Sequence, residues 1–335
     1  MGADSGESQP GGEQVPARSN FTTDPVDVTS RDLARAARLL AVRSRRAATG
    51  LFAGNYASAF RGGGLEFEES LPYVAGDDAR SIDWIATARA GVPFVKRFRE
   101  ERNQTLLFAL DASASMRFGT AGQAKAAAAV HALALLAAAA GRAGDRTGLL
   151  VFDDGIRAEV PVGRGLAHTW QLIRTAVEAA ATAGGETRLT AGLRGLLAHT
   201  RRRSTVVLLS DFRDPQLAPG DGSAWRLRQA LSGLTRRCDV VTGIVVDPRE
   251  ERLASAGPVR LADPERPGVT FVLDTGSRRT RAKYRAACAA WRGRLDRELR
   301  RSGAEPLWLR SDQDPLYALG RFFRDRARRR LRVVA

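Results

Sequence analysis

Thr105-Leu106-Leu107-Phe108-Ala109-Leu110-Asp111-Ala112-Ser113-Ala114-Ser115 is the stretch that decides the fold. An unbroken apolar run follows Thr105 and stops at a carboxylate. A strand covered by helices on both faces has such a run, whereas a strand with one wet face alternates. Further runs of this kind occupy 147–152, 205–209, 240–246 and 306–309, with an edge strand at 156–160 and a shorter strand at 269–273. Helical periodicity fills the intervals at 123–142, 166–181, 189–201, 224–234 and 277–301, and again at 316–331. Strands alternating with helices predict an α/β fold with a doubly wound, mostly parallel sheet of the Rossmann type.

Upstream, Thr29 or Ser30 caps a predicted helix over 31–47. Residues 50–100 are rich in glycine, aromatics and charge, with little helical period. Gly62-Gly63-Gly64 breaks the chain, 65–68 and 93–98 alternate like short strands, 76–78 is a turn and 82–89 a brief helix. The organisation expected is a disordered tail over 1–29, a helix and extended module over 30–103, the α/β domain over 104–312 and a basic helix over 313–335.

Composition narrows the function classes. The 335 residues include 44% hydrophobic ones, enough for a core, and carry a net charge of +16. Lys96, Lys125 and Lys283 are the only lysines, so the charge is arginine spread along the whole chain, which reads as compositional bias before it reads as a nucleic-acid surface. Cys238 and Cys288 lie in apolar stretches without metal or redox spacing, and are expected to be buried free thiols. No apolar leader opens the chain, and the run 126–140 is short of the roughly 20 residues a span needs and contains His131. A soluble, cytoplasmic protein without a transmembrane segment is expected.

Ligands of open α/β sheets sit beyond the carboxyl ends of the strands. That rule selects the loops after Leu110 and Leu209, which open on Asp111 and on Ser210-Asp211. Asp111, Ser113 and Ser115 occupy alternate positions and present one carboxylate and two hydroxyls on one side. Hard divalent cations take such oxygen ligands, and this set alone is an incomplete shell. Thr187, in the flexible segment Gly184-Gly185-Glu186-Thr187-Arg188-Leu189, and Asp211 are the further candidates. Any one of these segments alone could be a helix cap or a turn.

An Asp-x-Ser-x-Ser loop, a later Gly-Gly segment with threonine and a strand ending in Ser-Asp together resemble the metal-ion-dependent adhesion site of von Willebrand factor A domains. The resemblance implies Mg²⁺ (or Mn²⁺) held by Ser113, Ser115 and Thr187 directly and by Asp111 and Asp211 directly or through water, with a carboxylate from a partner completing the shell. Glu186 is inserted ahead of the threonine relative to many members, which leaves Thr190 as the alternative. The preceding residues Gly64-Leu65-Glu66-Phe67-Glu68-Glu69, Gly76-Asp77-Asp78-Ala79-Arg80-Ser81-Ile82-Asp83-Trp84 and Glu100-Glu101-Arg102 resemble the bacterial domain-of-unknown-function family fifty-eight over about residues 50–215. That resemblance implies a non-enzymatic, metal-dependent protein-binding adaptor acting with an AAA+ ATPase of the MoxR type in assembling or maturing other proteins. For the Gly76–Trp84 segment itself, an ion-pair and turn network anchored by a buried Trp84 is expected, with a partner surface as the alternative.

Catalysis finds little support. His131, His168 and His199 lie in or near predicted helices, and no nucleophile elbow, phosphate loop or dinucleotide fingerprint is present. The enzymatic rival is a metal-dependent phosphohydrolase with Asp111 as nucleophile, although Ser113 stands where such enzymes commonly place a second aspartate. The remaining rival binds nucleic acid or an anionic surface through 321–332. Docking of that helix by Phe322 and Phe323, with its arginines in water, accounts for the same residues.

Overall fold

The computed structural model describes residues 30–49, 51–60, 65–78, 81–100, 104–120, 123–200, 204–214, 223–266 and 268–334. The tail expected over 1–29 lies outside the described residues, as do Arg80, Glu101, Arg102 and the Arg201-Arg202-Arg203 run.

Helices α1 (Ser30–Ala47) and α2 (Leu51–Phe60) come first, followed by β1 (Leu65–Pro72), α3 (Trp84–Ala90) and β2 (Phe94–Glu100). The alternating part runs β3 (Thr105–Asp111), α4 (Lys125–Ala143), β4 (Arg146–Phe152), β5 (Ile156–Gly163), α5 (Leu166–Ala181), α6 (Leu189–His199), β6 (Thr205–Ser210), α7 (Ser223–Thr235) and β7 (Asp239–Val246). A single turn α8 (Pro248–Glu251), a hairpin of β8 (Pro258–Ala262) and β9 (Thr270–Asp274), the long α9 (Arg278–Arg301), β10 (Glu305–Arg310) and α10 (Pro315–Val334) complete the order.

The central sheet has six strands in the order β10-β7-β6-β3-β4-β5. Every neighbouring pair is parallel except β5 against β4, so the mostly parallel sheet is present with an antiparallel edge. The chain runs from β3 outward to β5 and then returns to β6 on the other side of β3. The carboxyl ends of β3 and β6 therefore flank the switch point where such sheets open a crevice. The strand expected near 269–273 does not join this sheet; β9 pairs with β8 in a separate two-stranded ribbon.

The unbroken apolar run of β3 has its explanation in the two layers. Leu106, Phe108 and Leu110 enter a core shared with α2, α4 and α10, while Leu107 and Ala109 enter the opposite core with α6, α7 and α9. Helix α4 is the one described helix long and apolar enough to cross a membrane, and most of it is buried inside the body. Apart from Ala127 and Ala143, its alanines bury almost completely, letting the helix lie close on the sheet.

Helix α2 was not expected from its sequence. Phe52, Tyr56, Ala59 and Phe60 form its buried face, but the small residues between them mask the period. Phe52, Tyr56 and Phe60 all meet Phe323 of α10, with ring centroids 5.3, 6.0 and 5.4 Å away. Phe322 and Phe323 dock α10 as expected, but its arginines are not all in water. Arg326 is 1% exposed. It donates to the Ala59 carbonyl at 2.8 Å and pairs with Asp239 and Glu305, because these elements bring acceptors to a site closed off from solvent.

Trp84, expected to be buried, is 72% exposed. The α3 helix it opens is fixed by backbone capping: Asp83 accepts from the Ile85 and Ala86 amides, both at 3.1 Å, and from the Ser70 hydroxyl at 2.7 Å. A three-donor cap leaves the indole without an anchoring task, and Tyr73, Val74, Ile85 and Val92 are exposed on the same module. Of the two cysteines, both free, Cys238 is buried but Cys288 only partly so.

Candidate metal centre

Asp111 is the last residue of β3, and the loop beyond it is folded by its own backbone. Ala112 N–H donates to the Phe152 carbonyl at 2.8 Å, and Ser113 N–H returns to Asp111 Oδ1 at 2.9 Å. A short 3₁₀ turn over Ala114–Arg117 follows. The Gly184-Gly185 segment runs alongside: Gly184 N–H donates to the Ala112 carbonyl at 2.8 Å and Ala114 N–H to the Gly185 carbonyl at 3.0 Å. Gly185 has φ +77, and a Cβ there would come within 2.9 Å of Asp153 Oδ2, so any other residue would strain the backbone and push the Asp153 carboxylate aside. This pairing delivers Thr187, fully buried, beside the serine loop.

The third segment arrives from β6. Ser210 donates to Asp111 Oδ2 at 2.5 Å and accepts from the Phe212 amide at 2.9 Å. Phe212, directly after Asp211, has φ 57 although it is bulky and only 2% exposed. Such backbone costs on the order of 1–3 kcal/mol and persists where the surroundings over-determine it.

The three hydroxyls form a tight triangle. Thr187 Oγ1 lies 2.8 Å from Ser113 Oγ, Ser113 Oγ 3.2 Å from Ser115 Oγ, and Ser115 Oγ 3.3 Å from Thr187 Oγ1. Neighbouring oxygens on an octahedral shell with Mg²⁺ bond lengths would stand about 2.9 Å apart. The donor set thus fits a small hard cation in chemistry and spacing, with Asp111 adjoining through Ser113. Of the two candidate threonines, Thr187 is the one whose hydroxyl lies beside Ser113 and Ser115. Among the described residues no group of three or more His, Cys, Asp or Glu side chains is gathered for a metal, so a cation here depends on these hydroxyls.

Asp211 stands slightly apart. Its Oδ2 accepts from Lys125 Nζ at 2.6 Å and its Oδ1 from the Arg213 amide at 3.0 Å, and it reaches the triangle through Ser115. Lys125 is wholly buried and also pairs with Glu250 at 2.7 Å. Burial works against its charge, but the two carboxylates outweigh it and hold the ammonium above the ordinary lysine value. Burial would likewise raise Asp211, yet the Lys125 ammonium and the hydrogen bonds hold it below the usual carboxylate range. Asp111 has no such cation: burial first, then the neighbouring Asp211 charge, push it up to about 7. One of the two buried carboxylates is balanced and the other is not.

Two participants escape a sequence reading. Lys125 was visible only as one of three lysines in an arginine-rich chain, at the start of an alanine-rich helix. Glu265 comes from the turn between β8 and β9, far from every motif. Its carboxylate accepts from the Thr187 hydroxyl in a short hydrogen bond and from the Thr187 amide at 3.1 Å. Burial raises its proton affinity against those hydrogen bonds and a further one from Ser115. The histidines stand apart: His168 Nε2 lies 2.7 Å from the Thr147 carbonyl and His199 Nδ1 2.7 Å from the Gly195 carbonyl, while His131 is half-buried on α4.

Residues 69–294 match a family model described as a protein of unknown function, DUF58. Uncharacterized proteins of Mycobacterium bovis and Mycobacterium tuberculosis are 33% identical over 304 residues, covering 90% of this chain and 92% of theirs. An uncharacterized protein of Mycobacterium avium is 34% identical over 172 residues, 50% of this chain and 94% of its own. Among solved structures, an aerotolerance-related membrane protein from Bacteroides fragilis aligns with a TM-score of 0.44 at 13% identity, over 66% of this chain and 99% of that one. A conserved hypothetical protein BatB from Bacteroides thetaiotaomicron aligns with a TM-score of 0.41 at 13% identity, over 67% and 99%.

Proposed function

We propose, from the premise that this chain belongs to the DUF58 family, that it is a non-enzymatic adaptor whose von Willebrand factor A-like domain grips acidic partner groups through a bound divalent cation. Ser113, Ser115 and Thr187 would hold Mg²⁺ or Mn²⁺ directly, with Asp111 and, through Ser115, Asp211 supplying the negative field. The cation, when bound, supplies a Lewis-acidic position that attracts a carboxylate. Three neutral hydroxyls and one unbalanced aspartate leave about half of its charge uncompensated, since Lys125 already neutralises Asp211.

The hydroxyl triangle at octahedral spacing carries this reading. A phosphohydrolase reading has less support, because both oxygens of Asp111 are engaged, by the Ser113 amide and the Ser210 hydroxyl, and the side chain is 1% exposed. The partner we propose, an AAA+ ATPase of the MoxR type, is carried over from the family resemblance, and a client protein supplying the acidic residue is the other candidate. Calorimetry tests the premise: wild type should take up one Mg²⁺ or Mn²⁺ and Asp111→Ala none. Capture of a purified MoxR-type ATPase should require the cation, disappear in EDTA and be absent in Ser113→Ala. Equal uptake by wild type and Asp111→Ala, or phosphate release from an aryl phosphate that stops with Asp111→Ala, would overturn the adaptor.

A further inference from the structure

The β8–β9 hairpin leaves the body between α8 and α9 and is tied down at its two ends. At its base, Thr275 N–H and Oγ1 donate to the Gly257 carbonyl at 2.7 and 2.8 Å, and Arg281 Nη1 donates to the Ser255 hydroxyl and the Thr275 and Gly276 carbonyls at 3.1, 2.5 and 2.8 Å. Between base and tip the two strands pack substantially only on each other, and Val269, Phe271 and Val272 are exposed. A two-stranded ribbon of this kind is marginally stable by itself, so what holds its tip decides where it lies.

The tip is built around a carboxylate. Asp263 closes the turn, its amide donating to the Val269 carbonyl at 3.0 Å and its Oδ1 accepting from the Glu265 amide at 3.0 Å. Glu265 then reaches Thr187, by hydroxyl and amide, and Ser115. Its oxygens therefore lie on the hydroxyl triangle itself, where the adaptor reading puts the acidic group of a partner.

We propose that Glu265 is a built-in acidic ligand of this site, and that the β8–β9 hairpin is a latch filling with its own carboxylate the position a partner must take. This rests on the cation reading of the site. A tethered carboxylate competes at an effective concentration on the order of millimolar, enough to exclude stray acidic groups. A partner that adds contacts beyond one carboxylate can still displace it, and the hairpin, with no other substantial packing among the described elements than its own pairing, can swing away without unfolding the sheet. The latch thus makes the adaptor selective for partners that bring more than charge.

The test compares the full chain as wild type, Glu265→Gln and Asp111→Ala, titrated with Mn²⁺ with and without excess acetate. Wild type should bind Mn²⁺ with no response to acetate. Glu265→Gln should bind it at least roughly tenfold more weakly, the lower end of what loss of a supporting ligand costs. Acetate should restore that binding, and amide exchange over 258–274 should accelerate in the variant. Asp111→Ala should bind no Mn²⁺ under either condition. Equal binding by wild type and Glu265→Gln, with acetate inert on both, overturns the latch and leaves the cation site standing. A deficit that acetate fails to restore overturns the exchangeable position. Absence of Mn²⁺ uptake in all three proteins overturns the cation reading, and the latch with it.

Discussion

Asp111 and Asp247 are alike in residue type, in burial and in position, one ending β3 and the other directly following β7 at the same edge of the sheet. Their surroundings differ. Asp247 accepts from the Thr120 amide and hydroxyl at 2.9 and 2.5 Å, the Ser311 hydroxyl at 2.8 Å and the Arg249 amide at 2.8 Å, while the Asp247 amide donates to Glu250 Oε2 at 3.0 Å. Burial would raise its proton affinity, but these donors prevail and hold it below the usual range. Asp111 has fewer donors and a second carboxylate beside it, and is pushed the other way. A buried carboxylate saturated with donors is a fastener, here pinning the loop before α4 to the ends of β7 and β10. One that is buried, with fewer donors and close to a like charge, keeps a raised proton affinity and marks a place where a cation would be favoured.

Four substitutions probe that contrast, in falling order of effect. Lys125→Met removes the buried cation and leaves Asp211 and Glu250 unbalanced; it should cost about 3–5 kcal/mol in urea unfolding, and a loss under about 1 kcal/mol would mean the ammonium is not what keeps Asp211 charged. Asp247→Asn turns an acceptor oxygen into a donor facing Thr120 and Ser311, and should cost about 2–3 kcal/mol whether or not Mg²⁺ is added. Asp111→Asn should act in the opposite direction in EDTA. The folded-state affinity of Asp111 for its proton is raised, so its contribution is fully present below the ordinary value of 3.8 and is lost as pH rises through about 7. Wild type should therefore lose stability between those values relative to Asp111→Asn, which should be the more stable by roughly 1–3 kcal/mol at pH 8. Parallel Tm curves across that window would contradict the unbalanced charge. Trp84→Ala, on a residue outside both sites, should change stability by no more than about 0.5 kcal/mol despite the size of the side chain.

Much of the fold and part of the site were legible. The strands that build the sheet announce themselves because burial on both faces demands unbroken apolar runs, and those at 105–110 and 205–209 end in the residues that meet in space. Asp111, Ser113, Ser115 and Thr187 were readable because loop spacing and strand ends are local properties. Lys125 and Glu265 were not, because neither lies in a segment whose pattern signals a site: one opens a core helix, the other tips a hairpin, and only the tertiary fold brings them within reach. Trp84 misled for a related reason. Its type favours burial, but the neighbouring Asp83 cap already secures the helix it begins.

Arg326 ties together regions that the chain order keeps far apart. It joins α10 to the carbonyl of Ala59 near the opposite end of the described chain and to carboxylates at the starts of β7 and β10. The span matched by the family model, 69–294, stops short of both α2 and α10. A protein trimmed to that span would lose α1, α2, β10 and α10, and with them the ring cluster of Phe52, Tyr56, Phe60 and Phe323 and three of the helices packed on α4. The matched span is thus not a self-sufficient unit, and the outlying helices and edge strand act as the bolt across a door whose hinge is the rest of the sheet.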